Sequence, residues 1–210
     1  MRKTGKLMTH DYLKNGTIWY HGTTTQHLES IDKIEVERKQ KKALDFGIGF
    51  YLTTQKEQAI KWANHKAKTY NSFCGDIVQP LLVSYRIDFD KIKFEGFTIQ
   101  DFSLEISEEF MTFVALNRIG LKEDILTGNY KGNLHSYDII FGTVVDGKPK
   151  NIVSTLEKYG EFKNLSEAKN KLFEKVDKLG YRENQLCICN QDIIKFLEQR
   201  GKEICLIEQY

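Results

Sequence analysis

The chain has 210 residues, 40% hydrophobic and 12% aromatic, which is apolar surface enough for one sizeable core and suggests a single domain. Charged residues make up 29% and are spread along the chain instead of gathering in tails, so the composition argues against disorder. With 31 basic and 29 acidic residues the net charge is +2, too small an excess for a protein dedicated to neutralising duplex phosphates.

Residues 1–15 are basic and show little periodicity, and are expected to form an N-terminal arm ahead of one domain spanning 16–210. No apolar stretch follows their charges, and no segment approaches the ~18 consecutive apolar residues of a membrane span, so export and membrane insertion are disfavoured. Thr17 to His21 (TIWYH) is β-branched and aromatic and reads as a strand, followed by a short helix from Thr24 to Ile34. A basic stretch, Arg38 to Lys42, reads as a solvated loop. The chain then passes through Gly47 and Gly49 into an aromatic strand ending at Thr53. Ala59, Ile60, Ala63 and Ala67 recur at helical spacing from Gln55 to Tyr70, with Thr53 or Thr54 as the expected cap and Glu57 at the capping-box position.

Gln79 to Asp88 reads as a strand, and the alternation of Lys91 to Thr98 predicts another. Ser107 caps an expected helix to Ile119, with Glu108 and Glu109 in the first turn, where carboxylates suit the dipole. A strand from Tyr137 to Val144, a turn at Asp146-Gly147, a helix from Ser166 to Leu179 and a strand from Gln185 to Cys189 follow. A short helix from Asp192 to Gln199 and a strand from Glu203 to Glu208 complete the series. Strands and helices interleave without a regular βαβ rhythm, which makes the class α+β. Gly47-x-Gly49 lacks a third glycine and precedes a strand, so it is no Rossmann fingerprint.

Four cysteines, Cys74, Cys187, Cys189 and Cys205, are too few and too unevenly spaced for a disulfide framework and read as the reduced thiols of a cytoplasmic protein. Cys187 and Cys189 share one face of a strand and read as core cysteines, since a zinc pair needs a second Cys/His pair at ligand spacing. His135 near Asp138 invites a catalytic dyad, but no nucleophile in a strained turn accompanies it and there is no Gly-x-Ser-x-Gly.

Three patterns carry chemistry. A His-Gly at a strand end, His21-Gly22, sets an imidazole beside backbone that a planar amide-bearing ring can approach closely. The block Asp45 to Thr53 (DFGIGFYLT) delivers Tyr51 on the strand face opposite to Phe50 and Leu52. Glu183-Asn184-Gln185 brings a carboxylate and an amide into a late strand, two residues apart and hence on one face.

In that order, His-Gly, then Gly-x-Gly-Phe-Tyr-Leu-Thr, then an acidic or amide residue entering a strand, the chain resembles the ADP-ribosyltransferase superfamily in its His-Tyr-Glu branch. Trp19 to His27, Leu44 to Ala63, Asn117-Arg118, Tyr137 to Gly147 and Gln185 to Leu197 look most like the bacterial DUF3990 group, a likeness covering roughly residues 17 to 200. The resemblance implies two packed, mainly antiparallel sheets with flanking helices and an NAD cleft between them. It implies transfer of ADP-ribose from NAD to a macromolecular acceptor, protein or nucleic acid, with nicotinamide released and no metal. His21 would bind a ribose hydroxyl, Gly22 would clamp the carboxamide through its backbone, and Tyr51 would stack on the nicotinamide. Thr23, Asp45, Gly49 and Arg118 would line the cofactor, the arginine pairing with pyrophosphate. Gln185 stands where the family usually carries glutamate. It can hold the ribose hydroxyl but brings no charge, and Glu183 is the expected source of that charge. Small bacterial proteins of this kind often act as toxins or phage-defence effectors beside a neutralising antitoxin. The alternative is a catalytically silent NAD or ADP-ribose binding module, or a module for a protein or RNA partner.

Overall fold

The structure is a computed structural model that describes residues 12–36, 44–74, 77–104, 107, 109–110, 112–114, 116–117, 133, 135–144 and 183–206. Most of the arm, the basic stretch Arg38 to Lys42, Arg118, the turn at Asp146-Gly147, the helix expected from Ser166 to Leu179 and the last strand's end at Glu208 lie outside the described residues.

Two sheets carry the fold. The first orders β1 (Ile18–Thr24), β3 (Pro80–Ile87) and β7 (Leu197–Ile204), all antiparallel. The second orders β2 (Phe50–Leu52), β6 (Asn184–Ile188), β5 (Ile139–Thr143) and β4 (Ile99–Asp101), antiparallel except for the β4–β5 pair. This is an α+β protein with two mostly antiparallel sheets and few helices. Strand alternation sorts the side chains. Trp19, Val83 and Tyr85 from the first sheet meet Phe50, Leu52, Ile139, Phe141, Leu186 and Ile188 from the second in one buried cluster. The outer face of the second sheet packs Ile140 and Cys187 against Phe46, Phe110 and Val114, the last two from helical residues within 109–117. Ser107 starts that helical stretch as expected, its Oγ accepting from the Phe110 N–H at 3.1 Å.

Helix α1 (Lys56–Phe73) lies on the outer face of the first sheet, where Gly22 packs against Ala59 and Ala63. The threonines do not cap it. The N-cap position is Gln55, without a side-chain cap bond, and Thr53 Oγ1 instead accepts from the Gln55 N–H at 3.1 Å. What secures this end is a buried amide network. Asn184 Nδ2 donates to Thr54 Oγ1 (2.7 Å), its Oδ1 accepts from the Thr54 N–H (3.0 Å), and Gln58 Nε2 donates to the Asn184 carbonyl (3.0 Å). The start of α1 is thereby pinned to β6 one residue before Gln185.

Four expected elements differ. The segment from Lys91 opens inside a helix, α2 (Phe89–Phe94), not a strand. Asp88 caps it by accepting from the Lys91 N–H at 3.1 Å, and Phe89 and Ile92, three apart, are both fully buried, so helical spacing overrides the alternation. The helix expected from Asp192 to Gln199 is a 3-10 helix over Gln191–Phe196 that runs directly into β7. That edge strand begins six residues before the strand expected from Glu203 and ends at Ile204, with Cys205 and Leu206 outside it; it is exposed along nearly its whole length, so no apolar alternation marks it. The helix expected from Thr24 to Ile34 is two 3-10 turns, Thr25–His27 and Ser30–Asp32. Of the arm, Leu13 is buried, and Asn15 Oδ1 accepts from the Phe89 N–H at 2.7 Å. Among the described residues no helix is long and apolar enough to cross a membrane.

Candidate functional site

The two sheets touch at one backbone bridge. The Tyr20 N–H donates to the Thr53 carbonyl at 2.7 Å and the Thr53 N–H to the Tyr20 carbonyl at 2.9 Å. Backbone direction alternates along a strand, so Gly22 also turns its N–H and C=O away from β3, toward the edge of β2. There Lys66 of α1 reaches its carbonyl, Nζ donating at 2.7 Å. Burial lowers the Lys66 pKa to about 8.

His21 binds across this gap. Its Nδ1 lies 2.7 Å from the carbonyl of Tyr51 and its ring stacks on Phe50, centroids 4.6 Å apart. A carbonyl only accepts, so Nδ1 carries the hydrogen and Nε2 is left as an acceptor with no partner among the described residues. Burial first and the Lys66 charge second lower the imidazole pKa from 6.5 to about 3, so the ring is neutral at ordinary pH. The depressed value has a consequence for stability. The unfolded chain takes up a proton below pH 6.5 that the folded chain refuses until about pH 3, so His21 stabilises the fold fully above that window and less as pH falls through it. A His21→Gln variant, whose amide can still donate to Tyr51, is expected to show a flatter loss of melting temperature between these limits. An acid slope equal to that of the parent protein would contradict the assignment.

Tyr51 is held at its far end. Its hydroxyl donates to the Gly47 carbonyl at 2.8 Å and accepts from the Phe46 N–H at 3.1 Å, while Phe46 stacks on the ring at 6.4 Å. Burial, then the neighbouring Cys187 and Asp45, push the phenol's pKa well up, so Tyr51 offers a fixed aromatic plane and no acid–base function. The turn that receives the hydroxyl requires glycine. Gly47 has φ +81°, and Asn133 clamps the next residue through the Ile48 N–H (2.6 Å) and C=O (2.8 Å). At Gly49 a Cβ would lie 2.4 Å from Cys187 Sγ.

Gln185 lies on the same face of the second sheet as Tyr51, since Tyr51 pairs with Cys187 two residues along β6. Its Nε2 donates to Asp45 Oδ2 at 2.8 Å and to the Thr143 carbonyl at 3.2 Å. Both amide hydrogens are thus engaged, and Oε1 remains as an acceptor. Asp45 is 4% exposed and sits one residue before Phe46, whose N–H holds Tyr51, so amide, carboxylate and phenol form one connected group.

The structure places Tyr51, Asp45, Gly49 and Gln185 together on the second sheet and links His21, with Gly22 beside it, to that group through the Tyr51 carbonyl. They do not share a single cleft wall. His21 and Thr23 stand on the inter-sheet side of the first sheet, while Tyr51 and Gln185 stand on the outer side of the second, joined through the Tyr51 carbonyl. Glu183 is placed differently from the expected reading. Its carboxylate, 31% exposed, lies 3.7 Å from Lys61 at the surface, and the charge against Gln185 comes from Asp45. Arg118 lies outside the described residues. Lys66 was missed because a lysine within a helix carries no signal of its own.

Among the described residues no cluster of three or more His, Cys, Asp or Glu is arranged to hold a metal. A separate open depression of about 380 Å³, bordered by Arg86, Asp88, Lys91 and Lys195, lies where β1 begins, at the other end of β3. Lys91 pairs with Asp88 (3.3 Å) and Lys195 with Glu95 (2.9 Å), so most of its charge is already matched.

A family model described as "Protein of unknown function (DUF3990)" matches residues 17–199. No curated protein and no solved structure matches the chain.

Proposed function

The chain belongs to the DUF3990 family, and within it we propose an enzyme that cleaves NAD and transfers ADP-ribose to a macromolecular acceptor, releasing nicotinamide. The observation that carries this reading is the hydrogen bond of Gln185 to the buried carboxylate of Asp45 at 2.8 Å, beside the fixed ring of Tyr51. The reaction breaks the glycosidic bond between ribose and nicotinamide and builds positive charge on the ribose. Catalysis then needs orientation and a nearby negative charge more than a strong acid or base.

Each residue has a part that its own hydrogen bonds leave open. Gly22 presents an N–H, and a carbonyl that Lys66 uses once and that can accept a second donor, the pair a planar carboxamide requires. The Tyr51 ring stacks on the nicotinamide. The neutral His21 Nε2 accepts from a ribose hydroxyl. Gln185 Oε1 accepts from the other ribose, and Asp45 behind it makes that oxygen a stronger acceptor and faces the developing cation across the amide. Thr23 and Gly49 line the approach.

The test is incubation with NAD labelled in the ADP-ribose half, together with a cell lysate, following nicotinamide release and the class of macromolecule that takes the label. Wild type is expected to release nicotinamide and His21→Ala to lose most of that rate. Tyr51→Phe, which keeps the ring, is expected to retain far more activity than Tyr51→Ala, and equal losses would remove stacking from the mechanism. Glutamine at position 185 favours one further reading, a silent binding module. Under it NAD raises the melting temperature without any nicotinamide appearing.

A further inference from the structure

Beside Tyr51, across from it on β6, lies a thiol pair that the proposed reaction does not use. Cys187 on β6 and Cys189, one residue past its end, bring their sulfurs 3.5 Å apart, with Cys187 fully buried and Cys189 partly exposed. Two residues of extended chain span about 6.6 Å, within the Cα separation that a disulfide bridges. His135 completes the group. Its Nε2 donates to the Phe46 carbonyl at 3.0 Å, and its ring stacks beside Tyr137, centroids 5.9 Å apart, in the same side-chain cluster. The cluster has the parts of a reactive thiol: an attacking sulfur with some access, a basic neighbour, and a second sulfur in reach.

We propose that Cys189 is an oxidation site and closes a reversible disulfide with Cys187 when it meets hydrogen peroxide. The Cys189 thiolate attacks one peroxide oxygen, the O–O bond breaks, and hydroxide leaves with a sulfenic acid on Cys189. The Cys187 sulfur then displaces the sulfenic hydroxyl, its own proton departing with that oxygen as water. Two thiols lose two electrons and one peroxide becomes two waters. The electrostatics fit these roles. The Cys187 thiol first, then His135, lower the pKa of Cys189, whereas burial pushes that of Cys187 up, so Cys189 attacks and Cys187 resolves. Closing the bond pulls Cys187 Sγ from its place beneath Gly49 and against Tyr51, the wall of the proposed site.

The direct test needs no turnover. Reduced protein is exposed to stoichiometric hydrogen peroxide, quenched with iodoacetamide and digested with trypsin, and the peptide Glu183–Lys195, which holds both thiols, is weighed. The expected product is lighter than the reduced peptide by two hydrogen atoms, resists alkylation, and reverts with dithiothreitol. Cys189→Ser is expected to abolish it. His135→Asn is expected to slow it about tenfold at neutral pH with the far-ultraviolet dichroism unchanged. Should that variant fail to fold, the competing alkylation of exposed Cys74 in the wild-type protein serves instead, and Cys189 must react first. Oxygen additions without a link, or prior loss of Cys74, would overturn the proposal. A second readout rests on the proposed activity: nicotinamide release is expected to fall on oxidation and return on reduction. Disulfide formation in a protein that never releases nicotinamide would fail the activity and leave the thiol site standing.

Discussion

Replacing Asp45 with asparagine is expected to lower nicotinamide release by about a hundredfold or more, while Glu183→Gln stays close to wild type. The magnitude is that of removing one preorganised electrostatic group from a site that develops charge. The asymmetry comes from where the two carboxylates lie. Asp45 is buried with its oxygen 2.8 Å from the Gln185 amide, whereas Glu183 is half-buried and faces the exposed Lys61 at 3.7 Å, a pair at the surface that contributes little. Gln185→Glu makes the same point from the other side. It sets a second carboxylate against Asp45, and two such groups in one buried site cannot both stay ionised, so one takes up a proton and the fold loses stability. A gain in both turnover and melting temperature from that variant, or a larger loss from Glu183→Gln than from Asp45→Asn, would assign the charge wrongly.

The largest effect on stability is expected at Gly22→Ala. A Cβ there would stand 2.0 Å from the Ala59 carbonyl oxygen, 2.9 Å from its carbon and 3.1 Å from the Ala63 nitrogen, all backbone atoms of α1. No rotamer change relieves such a contact, so the helix has to leave the sheet, and the amide network of Gln58, Thr54 and Asn184 anchors it close by. A cost of about 3 kcal/mol or more follows, which lowers the melting temperature by about 10 °C. Gly201→Ala is the matched control. Its Cβ would meet Ser84 Oγ at 3.5 Å, an ordinary contact, and its melt is expected to stay near that of the parent. Similar melts for the two variants would show that α1 is not packed on β1 as described.

What the sequence made legible was local. The strand bearing His21, the glycine turn ahead of Tyr51 and the strand bearing Gln185 are visible because β-branched and aromatic runs, paired glycines and two-residue alternation act over a few residues. The long-range choice was not visible. Glu183 was expected to supply the charge because it stands two residues from Gln185, but the carboxylate that the Gln185 amide meets is Asp45, 140 residues away in the chain, and nothing in spacing reports that contact. The segment from Lys91 misled because alternation over a few residues competes with a single pair at helical spacing, Phe89 and Ile92, which the cap at Asp88 decides. Strand β7 was hidden for the opposite reason, its exposed edge leaving no apolar face to alternate. His135 was set aside for want of a nucleophile, yet the fold brings Cys189 beside it across more than fifty residues.

The geometry around His21 is open to one decisive observation, nitrogen chemical shifts of the labelled imidazole recorded from mild acid to neutral pH with and without NAD. The ring is expected to stay neutral and protonated on Nδ1 throughout, with an Nε2 resonance that moves when NAD is added. A ring that titrates near its unperturbed value of 6.5, or an Nε2 signal indifferent to NAD, would contradict it.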